Sequence, residues 1–452
     1  MRTIHRNKER NISHFDTIVA PITGSGTAAV AVVRLSGGDA WSVAGEVFSP
    51  WEPVPMRAVY GRYVHGDDGL ALPFHEGRSY TGEESVELSV HGSPASVRDL
   101  IEACIRAGAR MAEPGEFTQR AFLNGRIDLT QAEAVRDTIE ARTEAQLRLA
   151  NLQREGSLRR RIEAISDTVT RVLTAVEASV DFSEEIGELD RDSAAASLAE
   201  ELGRIDILLE TAHVSRILRR GLRVAIVGPP NAGKSSLLNT ILGSERAIVT
   251  EIPGTTRDFV EEQIEVGGFP VVLIDTAGLR ESQDRIESLG IQRTRAIAAD
   301  ADLIWYVYDV TAGWTAEDDT LCKALSESRP GGASRNRPAV TVIANKSDLA
   351  RGGRGISVSA LTGDSIGKLF ESLPVDQDIA HREIVINSRH SELLNECRQT
   401  LDKAVSTLLS ERPADLVSVL LQDAMYALGK ITGKTAEPDM ISRIFSEFCI
   451  GK

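Results

Sequence analysis

Gly228 to Ser235 read Gly-Pro-Pro-Asn-Ala-Gly-Lys-Ser, the G-x-x-x-x-G-K-S spacing of a phosphate-binding loop. The glycines let backbone N–H groups turn inward on a polyphosphate, and a following helix N-terminus adds its positive dipole end. Lys234 is placed to reach the outer phosphates and the Ser235 hydroxyl to hold Mg²⁺, with Asn231, Ala232, Gly233 and Ser236 completing the cradle. A Gly-rich turn between strand and helix would look similar, so the flanks matter. Val224–Val227 reads as a short buried strand, and Leu237, Leu238, Ile241 and Leu242 as the apolar face of a helix.

Further motifs follow in order: Gly254-Thr255-Thr256-Arg257-Asp258, Asp275-Thr276-Ala277-Gly278, Asn345-Lys346-Ser347-Asp348 and Ser359-Ala360-Leu361. With the phosphate loop they resemble the five signature motifs of GTPases. Thr256 can join Mg²⁺, and Asp275, at the end of a Val271–Ile274 strand, can hold a metal-bound water. The Gly278 N–H is free to meet a γ-phosphate. Asn345 and Asp348 suit a guanine edge, since a carboxylate accepts from both N1–H and the 2-amino group. The site is therefore expected to prefer GTP to ATP. Leu279 stands where small signalling GTPases carry a water-orienting Gln, so hydrolysis needs another group. Asn231, with backbone carbonyls at Thr250 and Ile252 and the neighbouring Thr255, is a candidate K⁺ site, and Glu287 is the available carboxylate. A turn-forming Asn and a surface-helix Glu are the alternatives, and spacing alone leaves both open.

The elements that must position these residues read as follows. At 452 residues, 42% hydrophobic and 26% charged, the chain has the composition of a soluble globular protein of about three domains. No run approaches the roughly 18 apolar residues of a membrane span. The four cysteines lack metal-like spacing, which suits a reduced, cytoplasmic setting. A net charge of -15 argues against non-specific wrapping of nucleic acid. Strand-like Asp16–Ala20, Ala28–Leu35 and Val86–Val90 predict a mixed α/β or β-rich N-terminal domain. Thr130 and Glu133 are expected to form a capping box that opens a helical tract to about Arg220. An acidic turn or helix start is expected at Glu184–Asp192, and a loop at Ser326–Pro338. Alternating strands and helices from Gly221 to about Asp378 imply a parallel sheet. Beyond His381, Ile441, Ile444, Phe445 and Phe448 mark one buried helix face. Helical blocks on both sides of the α/β region suggest an inserted nucleotide domain.

Nearly the whole chain from Asp16 resembles the MnmE (TrmE) family of tRNA modification GTPases. The hallmarks are Pro114–Ala134, Ser79-Tyr-Thr-Gly-Glu83 and Phe448-Cys-Ile-Gly-Lys452. The resemblance implies a multidomain α/β architecture. Residues 15–128 are implied to be an α+β tetrahydrofolate-binding and dimerisation domain, while residues 1–14, by composition, are expected to be a disordered tail. Residues 129–219 and 381–452 are two parts of an all-α domain, and 220–380 an inserted Ras-like GTPase domain with a doubly wound, mostly parallel sheet. It further implies a homodimer working with MnmG, a FAD- and NADH-using partner, in a heterotetramer or larger complex on tRNA. The product is an aminomethyl or carboxymethylaminomethyl group at C5 of the wobble uridine (position 34), its added carbon from 5,10-methylene-tetrahydrofolate, with 5-formyl-tetrahydrofolate as the other candidate ligand. By position Arg34, Glu87, Arg126 and Lys452 contact the folate, with Cys449 beside it as a catalytic candidate. A carboxylate suits a pterin's guanine-like edge and cations suit a glutamate tail. Taken alone, Arg34 and Arg126 would read as surface arginines and Cys449 as a small buried residue. Two turns depart from the family, Gly24-Ser-Gly-Thr-Ala28 and His91-Gly-Ser93, both in the folate domain. Competing readings are a ribosome-assembly or RNA-binding GTPase without modification chemistry, and a GTP-regulated scaffold whose folate domain has decayed.

Overall fold

The structure, a computed structural model, describes residues 16–181, 189–244, 260–275, 301–327, 339–374, 384–410 and 412–452. They divide into two units, one drawn from Met1–Arg136, Arg154–Ala199 and Glu396–Lys452, the other from Asp137–Gln153 and Glu200–Asn395.

In the first unit, seven strands form one sheet: β1 (Ile18–Pro21), β2 (Val30–Ser36), β3 (Phe48–Ser49), β4 (Val59–Tyr63), β5 (Asp68–Phe74), β6 (Ser85–His91) and β7 (Arg110–Met111). Their order is β3-β4-β5-β6-β2-β1-β7, antiparallel except for β1 with β7. Side chains alternate across a strand. Val33, Leu35, Val86 and Leu88 thus share a core with helices Ala40–Val47 and Pro94–Arg106. Arg34 and Glu87 fall on the opposite face and stand directly across from each other in the β2–β6 ladder.

The expected capping box is displaced by two residues. Asp128 caps helix Leu129–Glu140: its carboxylate accepts from the Gln131 N–H at 2.8 Å, and the Gln131 side chain accepts from the Asp128 N–H at 3.0 Å. Thr130 is itself engaged, donating to Asp128 at 2.7 Å, so its hydroxyl serves the cap and does not make one. Helix Ser157–Asp181 runs beside Ala414–Thr432. Helix Pro438–Ser446 ends before Phe448, yet Phe445 and Phe448 are both buried against Leu129 and Ala132.

The second unit holds a six-stranded sheet of β8 (Leu222–Val227), β9 (Val260–Val266), β10 (Phe269–Asp275), β11 (Leu303–Asp309), β12 (Ala339–Asn345) and β13 (Ile356–Ser357), ordered β13-β12-β11-β8-β10-β9. Five strands are parallel. The sheet is thus mostly parallel, as the fold class requires, and the sixth strand, β9, pairs antiparallel with β10. Only two residues join them, too few for the crossover a parallel pair needs. At the centre, Val224 and Ile226 face one core and Ala225 and Val227 the other. Such burial on both faces explains the unbroken apolar run. Glu184 to Glu188 and most of the Ser326–Pro338 loop lie outside the described residues.

Candidate functional site

The C-terminal ends of the parallel strands gather the described parts of the motifs, Gly228–Ser235, Asp275, Asn345–Asp348 and Ser359–Leu361, at the edge where open α/β sheets bind ligands. After β8 the chain turns through Gly228–Gly233 into helix Lys234–Leu242. Gly233 has φ +88°, and a Cβ there would lie 2.3 Å from the Asn345 Nδ2, so no larger residue fits the turn. The Lys234 ammonium donates to the carbonyls of Gly228 (2.9 Å) and Pro229 (2.8 Å), which holds it over the loop it would serve. Ser235 Oγ donates to Asp275 Oδ2 at 3.0 Å, and Asp275 is buried at the end of β10. A hydroxyl and a carboxylate side by side are hard oxygen donors of the kind Mg²⁺ takes. Asn231 is exposed and has φ +61°, an uncommon backbone for a non-glycine residue.

Asn345, 1% exposed, ends β12. Its amide donates to the Ala232 carbonyl at 2.8 Å and accepts from the Ala360 N–H at 3.0 Å. One side chain thus ties the phosphate loop to the Ser359-Ala360 segment. Asp348 accepts from Ser359 Oγ at 2.6 Å, which aims its carboxylate. Lys346 has φ +65° and its ammonium meets Asp309 Oδ2 at 2.6 Å. Burial would raise the Asp309 pKa, but the bonds from Lys346 and Thr311 outweigh it and bring it down to about 2. Sequence reasoning missed Asp309, Thr311 and Thr240, whose hydroxyl donates to the Ala360 carbonyl at 2.6 Å. An acid closing an apolar strand run was the available signal for Asp309. Thr250, Ile252, Thr255, Thr256, Thr276, Ala277, Gly278, Leu279 and Glu287 lie outside the described residues.

In the first unit, the folate candidates partly converge. Arg34 donates to Glu87 Oε1 at 2.8 and 3.2 Å, and its guanidinium lies over the Tyr80 ring (4.7 Å) and the Phe117 ring (5.5 Å). Lys452 is close enough that its pKa is lowered, first by burial and then by the positive Arg34. The terminal segment is fixed by backbone bonds from Gly115 N to Cys449 O and from Phe117 N to Lys452 O. Gly451, at φ +95°, passes so near Pro21 that a Cβ would sit 2.0 Å from its carbonyl oxygen. Arg34 is far from a surface arginine, with 12% of its side chain exposed, whereas Cys449 is exposed. Arg126 donates to the Gly77 carbonyl at 2.7 Å and packs on the turn at Gly82.

In the same unit, two sequence hallmarks form one largely buried polar network. Arg120, 1% exposed, donates to Glu116 (2.8 Å), Glu83 (3.2 Å) and the Asp16 carbonyl (2.9 Å). Glu83 also accepts from Ser36 at 2.8 Å, and Arg110 reaches Glu116 at 2.7 Å. Burial would raise the Glu116 pKa, but the Arg110 bonds, the Glu113 N–H and Arg120 hold it down at about 2. The altered His91-Gly-Ser93 turn is built into the fold, since Ser93 caps helix Pro94–Arg106 by accepting from the Ser96 N–H at 3.0 Å. No described helix is long and apolar enough to cross a membrane.

Two family models match the chain: "GTP-binding protein TrmE N-terminus" over residues 17–126 and "MnmE helical domain" over residues 129–449. The tRNA modification GTPase MnmE of Symbiobacterium thermophilum is 42% identical over 463 residues, covering 97% of this chain and 99% of that protein. The protein of the same name from Moorella thermoacetica is 38% identical over 473 residues (97% and 99% covered), and that from Synechococcus sp. JA-3-3Ab 39% identical over 468 (98% of each).

Proposed function

The chain belongs to the MnmE family of tRNA modification GTPases, and from that premise we propose that it is a K⁺-activated GTPase that modifies the wobble uridine of tRNA. The reaction adds an aminomethyl or carboxymethylaminomethyl group at C5, with a one-carbon unit from methylene-tetrahydrofolate. The chain works as a cytoplasmic homodimer with FAD- and NADH-using MnmG. Its domains are a folate-binding segment (15–128) and a helical domain (129–219 and 381–452) interrupted by the GTPase domain (220–380).

The observation that carries the nucleotide reading is the Asn345 bridge, which brings the phosphate loop and two base-reading segments to one strand edge. Lys234 and the loop N–H groups hold the phosphates, and Ser235, with Thr256 and a water on Asp275, holds Mg²⁺. Asn231, with oxygens from Thr250, Ile252 and Thr255, would hold K⁺, which would supply the positive charge that an arginine finger gives elsewhere. Glu287 orients the attacking water in place of the Gln that Leu279 replaces. The Arg34–Glu87 pair and Lys452 support the folate reading: a carboxylate for the pterin edge and cations for the glutamate tail, with exposed Cys449 beside them.

The test is mass spectrometry of wobble uridines in cells lacking this chain. The modified nucleoside is expected to disappear and to return with the wild-type chain but not with Glu287→Ala. An unchanged nucleoside profile in the deletion strain would refute the modification reading and leave only the GTPase.

A further inference from the structure

We propose that Asp309 is a positioning residue for guanine-nucleotide binding, acting through Lys346 without touching the nucleotide. This rests on the guanine-nucleotide reading of the site. Asp309 closes β11 directly opposite Asn345 in the parallel β11–β12 ladder, and the Val310 N–H donates to the Asn345 carbonyl at 3.0 Å. Its carboxylate is aimed from both ends. Oδ1 accepts from the Thr311 N–H (2.8 Å) and hydroxyl (2.6 Å), which leaves Oδ2 for the Lys346 ammonium at 2.6 Å.

The tetrapeptide Asn345–Asp348 is therefore anchored at three side chains. Asn345 is tied to Ala232 and Ala360, Asp348 to Ser359, and Lys346 to Asp309. Asp309 is the anchor that belongs to none of the motifs. Lys346 holds a left-handed backbone, φ +65°, that an L side chain adopts only when its surroundings impose it. A lysine pinned before the ligand arrives has less rotamer freedom left to lose on binding. Without the carboxylate, the side chain and the turn behind it must be ordered by the nucleotide itself.

The test is calorimetric binding of GDP to the full-length chain, with steady-state GTP hydrolysis alongside. Asp309→Asn is expected to weaken GDP about tenfold and to raise KM in proportion, with kcat the smaller change. Thr311→Val, which removes one bond aiming the carboxylate, should shift affinity in the same direction by less. In a Lys346→Met background, adding Asp309→Asn should cost less than twofold, because the group it acts through is gone. An equal loss in both backgrounds, or Asp309→Asn and Thr311→Val both binding GDP like the wild type, would overturn the proposal. A wild-type chain that fails to bind GDP would instead refute the nucleotide reading beneath it.

Discussion

The side-chain amide of Asn345 donates to the carbonyl of Ala232 at 2.8 Å, joining the Asn345–Asp348 segment to the Gly228–Ser235 loop. Its oxygen accepts from Ala360 at 3.0 Å, so two loops lose a partner if the amide is removed. Buried groups left unpaired cost about 1–3 kcal/mol each.

Asn345→Ala should therefore weaken GTP and GDP alike by at least about tenfold, from Ala232 and Ala360 losing their places. Calorimetry on both nucleotides checks this. Asn345→Ala binding GDP within about twofold of wild type would show that the bridge does not organise the site.

Arg120 is the other buried hub, and its loss takes a cation from Glu116, which keeps Arg110, and the guanidinium from Glu83, which keeps Ser36. Removing one partner of a buried ion pair costs about 3–5 kcal/mol. Arg120→Ala is expected to lower the urea midpoint of the N-terminal unit, read through the fluorescence of Trp41 and Trp51, which lie in it. A midpoint unchanged from wild type would mean that the two motifs are not held by this network.

Glu116 sets a pH window. Its pKa falls from 4.5 in the unfolded chain to about 2 in the fold, so its contribution is full above about pH 4.5 and fades as pH drops toward 2. The shift corresponds to on the order of 3 kcal/mol. Glu116→Gln should be less stable than wild type at pH 7, with the gap closing in acid. A gap constant from pH 7 to pH 3 would contradict the assignment.

Local signals were legible and paired ones were not. The phosphate loop is spelled by contiguous residues, so its strand and helix could be read around it. Asp309 is informative only because β11 lies parallel to β12, a pairing set by distant residues. The same holds for Arg34 and Glu87, separate charges in the sequence that the antiparallel register places opposite each other. The capping box failed differently: Asp128/Gln131 and Thr130/Glu133 share one spacing, and only the hydrogen bonds choose between them. Strand β9 was missed because Val260-Glu-Glu-Gln-Ile-Glu-Val266 is an edge strand whose charged residues hide its alternation.

The folate reading depends on the Arg34–Glu87 pair. Glu87→Gln keeps the shape of the side chain but removes the charge that holds Arg34 and that suits a pterin's amide edge. Affinity for 5-formyl-tetrahydrofolate, measured by calorimetry, should fall at least about tenfold. Wild-type affinity in Glu87→Gln would exclude this pair from the pocket, and no binding by the wild-type chain, with GTP hydrolysis intact, would favour the decayed-scaffold reading.

Asn231 carries the K⁺ argument among the described residues. It is exposed within the phosphate loop, and its left-handed backbone, φ +61°, sets the direction its amide leaves the chain. A carbonyl oxygen there can take part in a shell for a large monovalent ion, as carbonyls do in K⁺ filters. Hydrolysis is therefore expected to run faster in KCl than in NaCl at equal ionic strength. Asn231→Lys replaces the acceptor with a cation and should abolish the difference between the salts while the chain still binds GDP. Equal rates in the two salts for the wild type would remove K⁺ from the mechanism and leave Glu287 to account for hydrolysis without it.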